Sequence, residues 1–317
     1  MTQDREPLVS IGVPVYNGER FIRKALESLL RQTHTNIELI VSDNGSTDGT
    51  SAICREFAAR DPRVRYFRNE RTVRVVKNIC RTFELSSADY FMWTPVDDER
   101  APTVAADLLA ALLRNPAAVM AHGPLLLNVE AEGRVVEMKN AMDLSRPCAP
   151  DRVRAFTANV QHPAMLFGLF RREAFARAVF RQTMGHDYLL CLQMCLLGPV
   201  EYVPSHIITY RHRWAALGSP MPACETISLR DLLFYRGVRR RKSWTSLILG
   251  VRYLLNGRGV PVRDRVASGA AFLRTFVGRH KRNLAFEIVF LAFTPISYIA
   301  MPFLPTGRRL KLALARR

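Results

Sequence analysis

The sequence predicts an α/β fold, a mainly parallel sheet flanked by helices, which continues into a basic and apolar helical extension. Three observations carry that expectation. Short β-branched apolar runs alternate with amphipathic helical stretches through the first half of the 317 residues. Polar turn residues and carboxylates follow those runs immediately, and ligands bind beyond the carboxyl ends of strands in such sheets. The charge is unevenly divided: 46 Lys plus Arg against 28 Asp plus Glu leave +18, yet residues 230–317 alone hold 19 basic and 3 acidic side chains. With 48% hydrophobic and 23% charged residues, the composition is that of a chain that buries a core.

The elements follow in order. "LVSIGVPVY" at 8–16 is the first strand, and "ERFIRKALESLLRQ" sets Phe21, Ile22, Ala25, Leu26, Leu29 and Leu30 on one helical face. "IELIVSD", from Ile37, is the second strand. "STDGTSAICREFAAR" is the second helix, with Ser46, Thr47 and Asp48 as cap candidates before Ile53 and Phe57. "VRYFRN" at 64–69 precedes a helix around "TVRVVKNICRTFELS", then "ADYFMWTPV" is a fourth strand and "APTVAADLLAALLRN" a helix. Helices of this length between strands imply crossovers and hence parallel pairing. Farther on, "GPVEYVP" reads as a turn and a closing strand. Pro and Gly cluster in "LGSPMPACETIS" at 217–228, just before the charge balance shifts, so the expected domains are 1–228 and 229–317.

The strand ends carry the chemistry. "PVYNGER" and "SDNGSTDGT" are also ordinary turn and cap sequences. "VDDER" is different, because Asp97, Asp98 and Glu99 repel one another unless a cation offsets their charge. Two carboxylates facing a cleft make a hard-oxygen site suited to Mg2+ or Mn2+ arriving with a diphosphate. Such an ion neutralises charge on a departing phosphate group. The competing explanation is the positive end of the helix that follows, which would account for one or two of the three acids.

Four stretches now stand in order: "VSIGVPVYNGERFIRKALESLLRQT", "ELIVSDNGSTDGT", "NICRTFELSSADYFMWTPVDDERAP" and "HDYLLCLQMCLLGPVEYVPSHIITYRHR". Together, over positions 8–213, they resemble the inverting family 2 glycosyltransferases of the GT-A (Rossmann-like) fold, in their membrane-associated bacterial type. The resemblance implies that Pro14, Val15, Tyr16 and Asn17, with Glu19, wrap the base and ribose of a nucleotide-sugar donor. It implies that Asp43 bonds the base, commonly uracil. Asp97 and Asp98 correspond to the metal and diphosphate motif, with Asp98 as the direct ligand. Asp187 in "GHDYLL" stands where the family has the Asp of a Glu-Asp pair acting as general base, and His186 replaces the Glu.

The chain also departs from the pattern. Pro95 occupies a position, two before Asp97, that is acidic in many members. "TYRHR" resembles the Tyr-Arg-x-His ending whose His reaches the metal or diphosphate, but His212 falls one position early and Arg213 takes the His place. Either His212 serves with a local shift, or Arg211 or Arg213 supplies the positive charge. "NVQHPAMLFGLFRREAF" at 159–175 is similar to a segment that borders the acceptor pocket, which makes Asn159, His162 and Gly168 acceptor-site candidates. Without that likeness it is a strand or helix edge packed on the sheet, and Asp187 is a helix cap.

The extension joins "RGVRRRK" to Trp244, Leu247, Ile248, Val251, Leu254 and Leu255, which lie close to one helical face. "LAFEIVFLAFTPISYIAMPFL" at 284–304 has a single charge, Glu287, and Pro295 and Pro302 are expected to interrupt its helix. Basic "GRHKR" before it and "GRRLKLALARR" after it leave the positive-inside bias no preferred side. The expectation is a helix or helical hairpin on the cytoplasmic face of the membrane, peripheral or monotopic. Anionic lipid would draw it there at about 1 kcal/mol per placed Lys or Arg. A true span, a re-entrant segment and a soluble core helix pair stay open. Nucleic-acid binding is disfavoured, because the aromatics sit within apolar runs instead of alternating with basic residues.

Six cysteines form no CxxC pair and "MTQDREPLVS" has no apolar signal core, which predicts a reducing cytoplasmic compartment. Cys191 and Cys195 read as small buried apolar residues. The functional expectation is a metal-dependent, inverting transfer of sugar from a nucleotide-diphosphate donor, a UDP-sugar, to a hydroxyl of a glycan or lipid-linked acceptor in surface polysaccharide synthesis. Two rivals stand beside it. A sugar nucleotidyltransferase needs a Gly-rich phosphate loop that "PVYNGER" lacks, and a catalytically silent sugar-nucleotide or lipid-binding scaffold needs no working base.

Overall fold

The computed structural model describes residues 6–129, 134–138, 141–160, 164–180, 186–204, 208–211 and 242–300. The four strands expected first are present as β1 (Val9–Val15), β2 (Ile37–Asp43), β3 (Val64–Arg68) and β4 (Tyr90–Trp93). They are mutually parallel, with β1 between β2 and β4 and β3 outside β2. Right between them in sequence run α1 (Glu19–Leu30), α2 (Thr50–Arg60) and α3 (Val75–Glu84), which are the crossovers that parallel pairing requires. Helices cover both faces, so β2 is buried at every position, as its near-continuous apolar run demands.

After α4 (Val104–Arg114) the sheet turns mixed. β5 (Met120–His122) is followed by β6 (Leu125–Val129) and β7 (Arg134–Met138), then α5 (Ala149–Asn159). β8 (Leu169–Arg171) and α6 (Arg172–Arg177) lead to α7 (His186–Leu197), β9 (Val200–Tyr202) and β10 (Ile208–Arg211). The main sheet has the order β3-β2-β1-β4-β8-β5-β9. β8 runs antiparallel between β4 and β5, and β9 is parallel to β5. A second sheet, β10-β6-β7, stands apart. The mainly parallel, helix-flanked sheet expected from the sequence is therefore the one observed, with β8 as an antiparallel insertion.

Two core clusters result. One fills the space under α1, α2 and α4, with Ile11, Leu26, Leu39 and Leu108 fully buried. The other is aromatic: Phe91, Trp93, Phe170 and Phe175 meet edge-on or tilted at centroid distances of 5.1–6.2 Å. That second cluster also takes in Leu247 and Leu254 of α8 (Lys242–Leu255) and Phe272, Phe276 and Leu284 of α9 (Val262–Ala300). The start of the extension thus packs on α5 and α7 as a helical hairpin. Gly250 lets the two helices close, since a Cβ there would collide with the Phe272 ring.

One expectation is corrected. α9 is continuous through Pro295; a single proline removes one backbone bond from a 39-residue ladder, and the helix absorbs that loss. No helix among the described residues is long and apolar enough to cross a membrane. The expected boundary at 217–228, and Pro302, lie outside the described residues.

Candidate active site

The loops that follow β1 and β2 are knitted to one another. Val15 and Asp43 are register partners at the ends of their strands, and Asn44 N–H donates to the Val15 carbonyl at 2.8 Å. Asn17 sits at φ 50°, a left-handed conformation that Asn tolerates better than most side chains. That turn points its N–H at Ser46 Oγ (2.9 Å) and lets its Oδ1 accept from the Thr47 N–H (2.9 Å). Gly18 N–H donates to Thr50 Oγ1 at 2.9 Å. Glu19 Oε2 accepts from the Gly49 N–H at 2.9 Å, while its own N–H donates to Asp48 Oδ2 at 3.1 Å. Pro14, Val15, Tyr16, Asn17, Glu19 and Asp43 consequently share one edge, with the Tyr16 ring half exposed above it. Of the three cap candidates, Asp48 binds the first turn of α2, accepting the Thr50 N–H at 3.1 Å.

Asp43 is fully buried. Its Oδ1 accepts from Ser46 N–H at 2.8 Å, and its Oδ2 accepts from Ser51 Oγ and Tyr66 OH, each at 2.7 Å. The Arg68 guanidinium lies 3.5 Å from Oδ2. Burial pushes the carboxyl up, but the bonds from Ser46, Ser51 and Tyr66 together outweigh it and hold the group below its ordinary value. Tyr66 answers with a phenol pushed up to about 12, first by burial and further by Asp43. Sequence reasoning named Asp43 and missed its supports. The signal was present in "VRYFR": Tyr66 and Arg68, two apart on a strand, project to the same face. A recess of about 320 Å³, lined by Arg68, Asn69, Glu70, Arg71, Val73 and Arg81, opens beyond the end of β3.

The carboxylate tract after β4 lies against the first loop. A Cβ on Gly18 would stand 2.6 Å from Val15 Cγ2 and 3.1 Å from Val96 Cγ2, so the missing side chain lets residue 96 close on the turn. Asp97 and Glu99 are half-buried and Asp98 is 1% exposed. Helix α4 begins only at Val104, with Thr103 as its cap, so its N-terminus does not account for acids at 97–99. Part of the answer is internal. Arg100, buried, donates to Thr94 Oγ1 at 3.0 Å, to the Phe167 carbonyl at 2.9 Å and to the Trp93 carbonyl. Burial brings its pKa down to about 10, and the Asp98 charge pulls it back up. Arg100 therefore ties the end of β4 to the 3-10 turn Ala164–Phe167 and shares its charge with Asp98.

Among the described residues no group of three or more His, Cys, Asp or Glu is placed to hold a metal ion. Oxygen donors are nonetheless present at this edge, among them half-buried Asp97 and buried Asp98. That set fits Mg2+ or Mn2+, which take one or two carboxylates and complete their coordination with phosphate oxygens and water.

Asp187 lies in the first turn of α7, half-buried, with its Oδ1 accepting the Tyr188 N–H at 2.8 Å. Aromatic contacts link that turn to β4: the His186 ring lies 5.4 Å from Phe180, and Phe180 lies 5.3 Å from Trp93. Asn159 ends α5 on the surface, its Nδ2 donating to the Ala155 carbonyl at 2.7 Å. Gly168 is buried where β8 meets β5, and a Cβ there would collide with the Ala121 carbonyl oxygen. Arg211 ends β10, paired with Asn128 of β6. His162, His212 and Arg213 lie outside the described residues. Cys191 and Cys195 sit in the core, their thiols pushed up by burial, Cys195 to about 12. At the end of β5, His122 is fully buried and its pKa is pushed down to about 4 by that burial, a placement with no local sequence signal.

Comparison with known proteins adds a family and a fold. The family model described as glycosyl transferase family 2 matches residues 10–178. Chondroitin synthase of Escherichia coli is 27% identical over 213 residues, covering 64% of this chain and 28% of that protein. This chain spans under half the length of the curated relatives it matches. S. aureus TarS 1–349, solved in complex with UDP-GlcNAc, superposes with TM-score 0.57 at 15% identity, covering 85% of this chain and 72% of that one. The mannosyltransferase PcManGT of Pyrobaculum calidifontis, solved with GDP-Man and Mn2+, gives 0.50 at 14% identity, covering 94% and 81%. At such identities the two structures establish the fold.

Proposed function

The chain belongs to glycosyl transferase family 2, and from that premise we propose that it is an inverting glycosyltransferase. It moves a sugar from a nucleotide-diphosphate donor to an acceptor hydroxyl with the help of a divalent ion. The carrying observation is the packing of Val96, the residue before Asp97, against the β1–α1 turn at Gly18.

In this reading Pro14, Val15, Tyr16, Asn17 and Glu19 enclose base and ribose, and Asp43 meets the base. Uridine is favoured by the UDP-GlcNAc complex of TarS, and a metal by the Mn2+ complex of PcManGT. Asp98 and His212 would hold Mg2+ or Mn2+, with Asp97 beside them toward the diphosphate, and the bound ion would supply positive charge to the departing group. Asp187 takes the proton from the acceptor hydroxyl, whose oxygen then bonds to the anomeric carbon on the face opposite the diphosphate, and the configuration inverts. Asn159, His162 and Gly168 border the acceptor. The acceptor is a glycan or a lipid-linked one, met at the cytoplasmic face of the cell membrane during surface polysaccharide synthesis. The excess of 19 basic over 3 acidic residues in 230–317 supports that location.

The test is nucleotide release by the full chain from a panel of UDP-sugars, with and without Mn2+, for the wild type, Asp98→Asn and Asp187→Asn. Metal-stimulated release that both substitutions abolish is the expected result. Equal release by all three proteins contradicts the assigned roles, and donor binding without release by any of them favours the silent scaffold.

A further inference from the structure

The hairpin of α8 and α9 buries one face and leaves another bare. Ser268, Phe272 and Phe276 are the buried side of α9. Val262, Val266, Leu273 and Val277 are 64%, 54%, 46% and 38% exposed. At about 100° per residue those four fall within a sector of about 60°, about a third of a turn from the buried face. Leu255 of α8, 42% exposed, continues the stripe sideways, because a Cβ on Gly269 would stand 3.5 Å from Leu255 Cδ2. Scattered exposed apolar residues are ordinary, but an aligned row across two helices is a patch.

Charge borders this patch on one flank. Arg263, Arg274 and Lys281 are exposed and lie within about 20° of one another, next to the apolar sector. Residues 242–282 hold nine Lys or Arg and one acid, Asp264. Two of the arginines are used inside the fold: Arg265 closes the hairpin by donating to the Leu255 carbonyl at 2.9 Å, and Arg279 ties it to the end of α5 through the Thr157 and Val160 carbonyls at 2.8 and 2.7 Å. The flanking three make no such backbone bond among the described residues; Arg263 lies 3.6 Å from Asp264 Oδ1, and all three are exposed beside the apolar row.

We propose that this stripe is the surface by which the enzyme docks on an anionic lipid bilayer, with Val262, Val266, Leu273 and Val277 entering the headgroup boundary and Arg263, Arg274 and Lys281 meeting lipid phosphates. The inference rests on the membrane location proposed above and assigns it to one face of a folded hairpin. An amphipathic helix lying in the interface plane needs an apolar strip with a basic border, and its affinity follows both parts. A protein partner or a second copy of the chain would cover apolar area without requiring an almost purely basic flank.

Sedimentation of the full chain with vesicles of neutral lipid, or of neutral lipid plus phosphatidylglycerol, tests it. The variants are Val266→Glu with Leu273→Glu, and Arg263→Ser with Arg274→Ser and Lys281→Ser, all at exposed positions. Each basic residue near the surface counts for about a fivefold change in partition, so the triple charge variant should bind anionic vesicles about a hundredfold less well. Nucleotide release in solution should be unchanged in both. A wild type that ignores anionic vesicles removes the membrane location itself; a wild type that binds while both variants bind equally removes only this face. Because residues beyond 282 also carry apolar sequence, a second readout reports on the face directly. An environment-sensitive dye on Val266→Cys, in a chain with Cys148 and Cys224 replaced by Ser, should shift blue and be quenched by a lipid-borne quencher. A dye that stays in water on bound vesicles, or concentration-dependent self-association that Val266→Glu with Leu273→Glu abolishes without vesicle binding, overturns the proposal.

Discussion

Replacing Arg100 with Met removes the buried cation at the end of β4 and keeps its length. Three acceptors lose a donor: Thr94 Oγ1, the Phe167 carbonyl and the Trp93 carbonyl. Asp98, 1% exposed, loses the charge that offsets its own. Breaking a buried pair by deleting one member costs about 3–5 kcal/mol, a large part of the roughly 5–15 kcal/mol that holds a typical domain together. Urea unfolding followed by the fluorescence of Trp93, which lies within this network, in a chain with Trp214 and Trp244 replaced by Phe, measures the loss. A second substitution separates charge from packing. Asp98→Asn on top of Arg100→Met removes the uncompensated carboxylate, so the double variant should regain about 1–3 kcal/mol relative to Arg100→Met alone. An Arg100→Met protein within about 0.5 kcal/mol of wild type, or a double variant with no recovery, would refute the coupling.

Gly168→Ala forces a Cβ against the Ala121 carbonyl where β8 meets β5, and should lower the melting temperature through a cost of about 1–3 kcal/mol, whatever the acceptor. Asp43 is held below its reference value of 3.8, so its contribution to stability is complete above about pH 4 and disappears as pH falls through the lowered folded value. Unfolding free energies of wild type and Asp43→Asn should then differ most at neutral pH and converge on acidification; a gap that widens in acid would reverse the sign. Thiol reagents at pH 8 should modify exposed Cys148 and spare Cys195, whose thiol is buried and pushed up to about 12, as peptide mapping can show.

The parallel half of the sheet was legible because β1 and β2 are seven residues each and their crossovers are amphipathic over ten residues or more. β5 and β8 were not, since three residues apiece carry too little periodicity to register, whereas β9, equally short, was marked by the turn in "GPVEYVP". The antiparallel insertion of β8 depends on pairing with β4, which lies some 80 residues earlier, and no local pattern encodes it. In the site, the strand-end residues were visible as types, and their closure required contacts of the same long range. Arg100 stood beside the acids in plain view, yet its partner Phe167 is 67 residues away. The extension misled through Pro295, where a local rule about helix interruption met a helix that runs through it.

Titration calorimetry of the full chain with UDP, in the presence and absence of Mn2+, bears most directly on the central idea that the carboxylates after β4 act through an ion shared with the donor's phosphates. Binding should be markedly tighter with Mn2+ in the wild type and insensitive to Mn2+ when Asp97 and Asp98 are both replaced by Asn. Equal affinity with and without the ion in the wild type would contradict that idea.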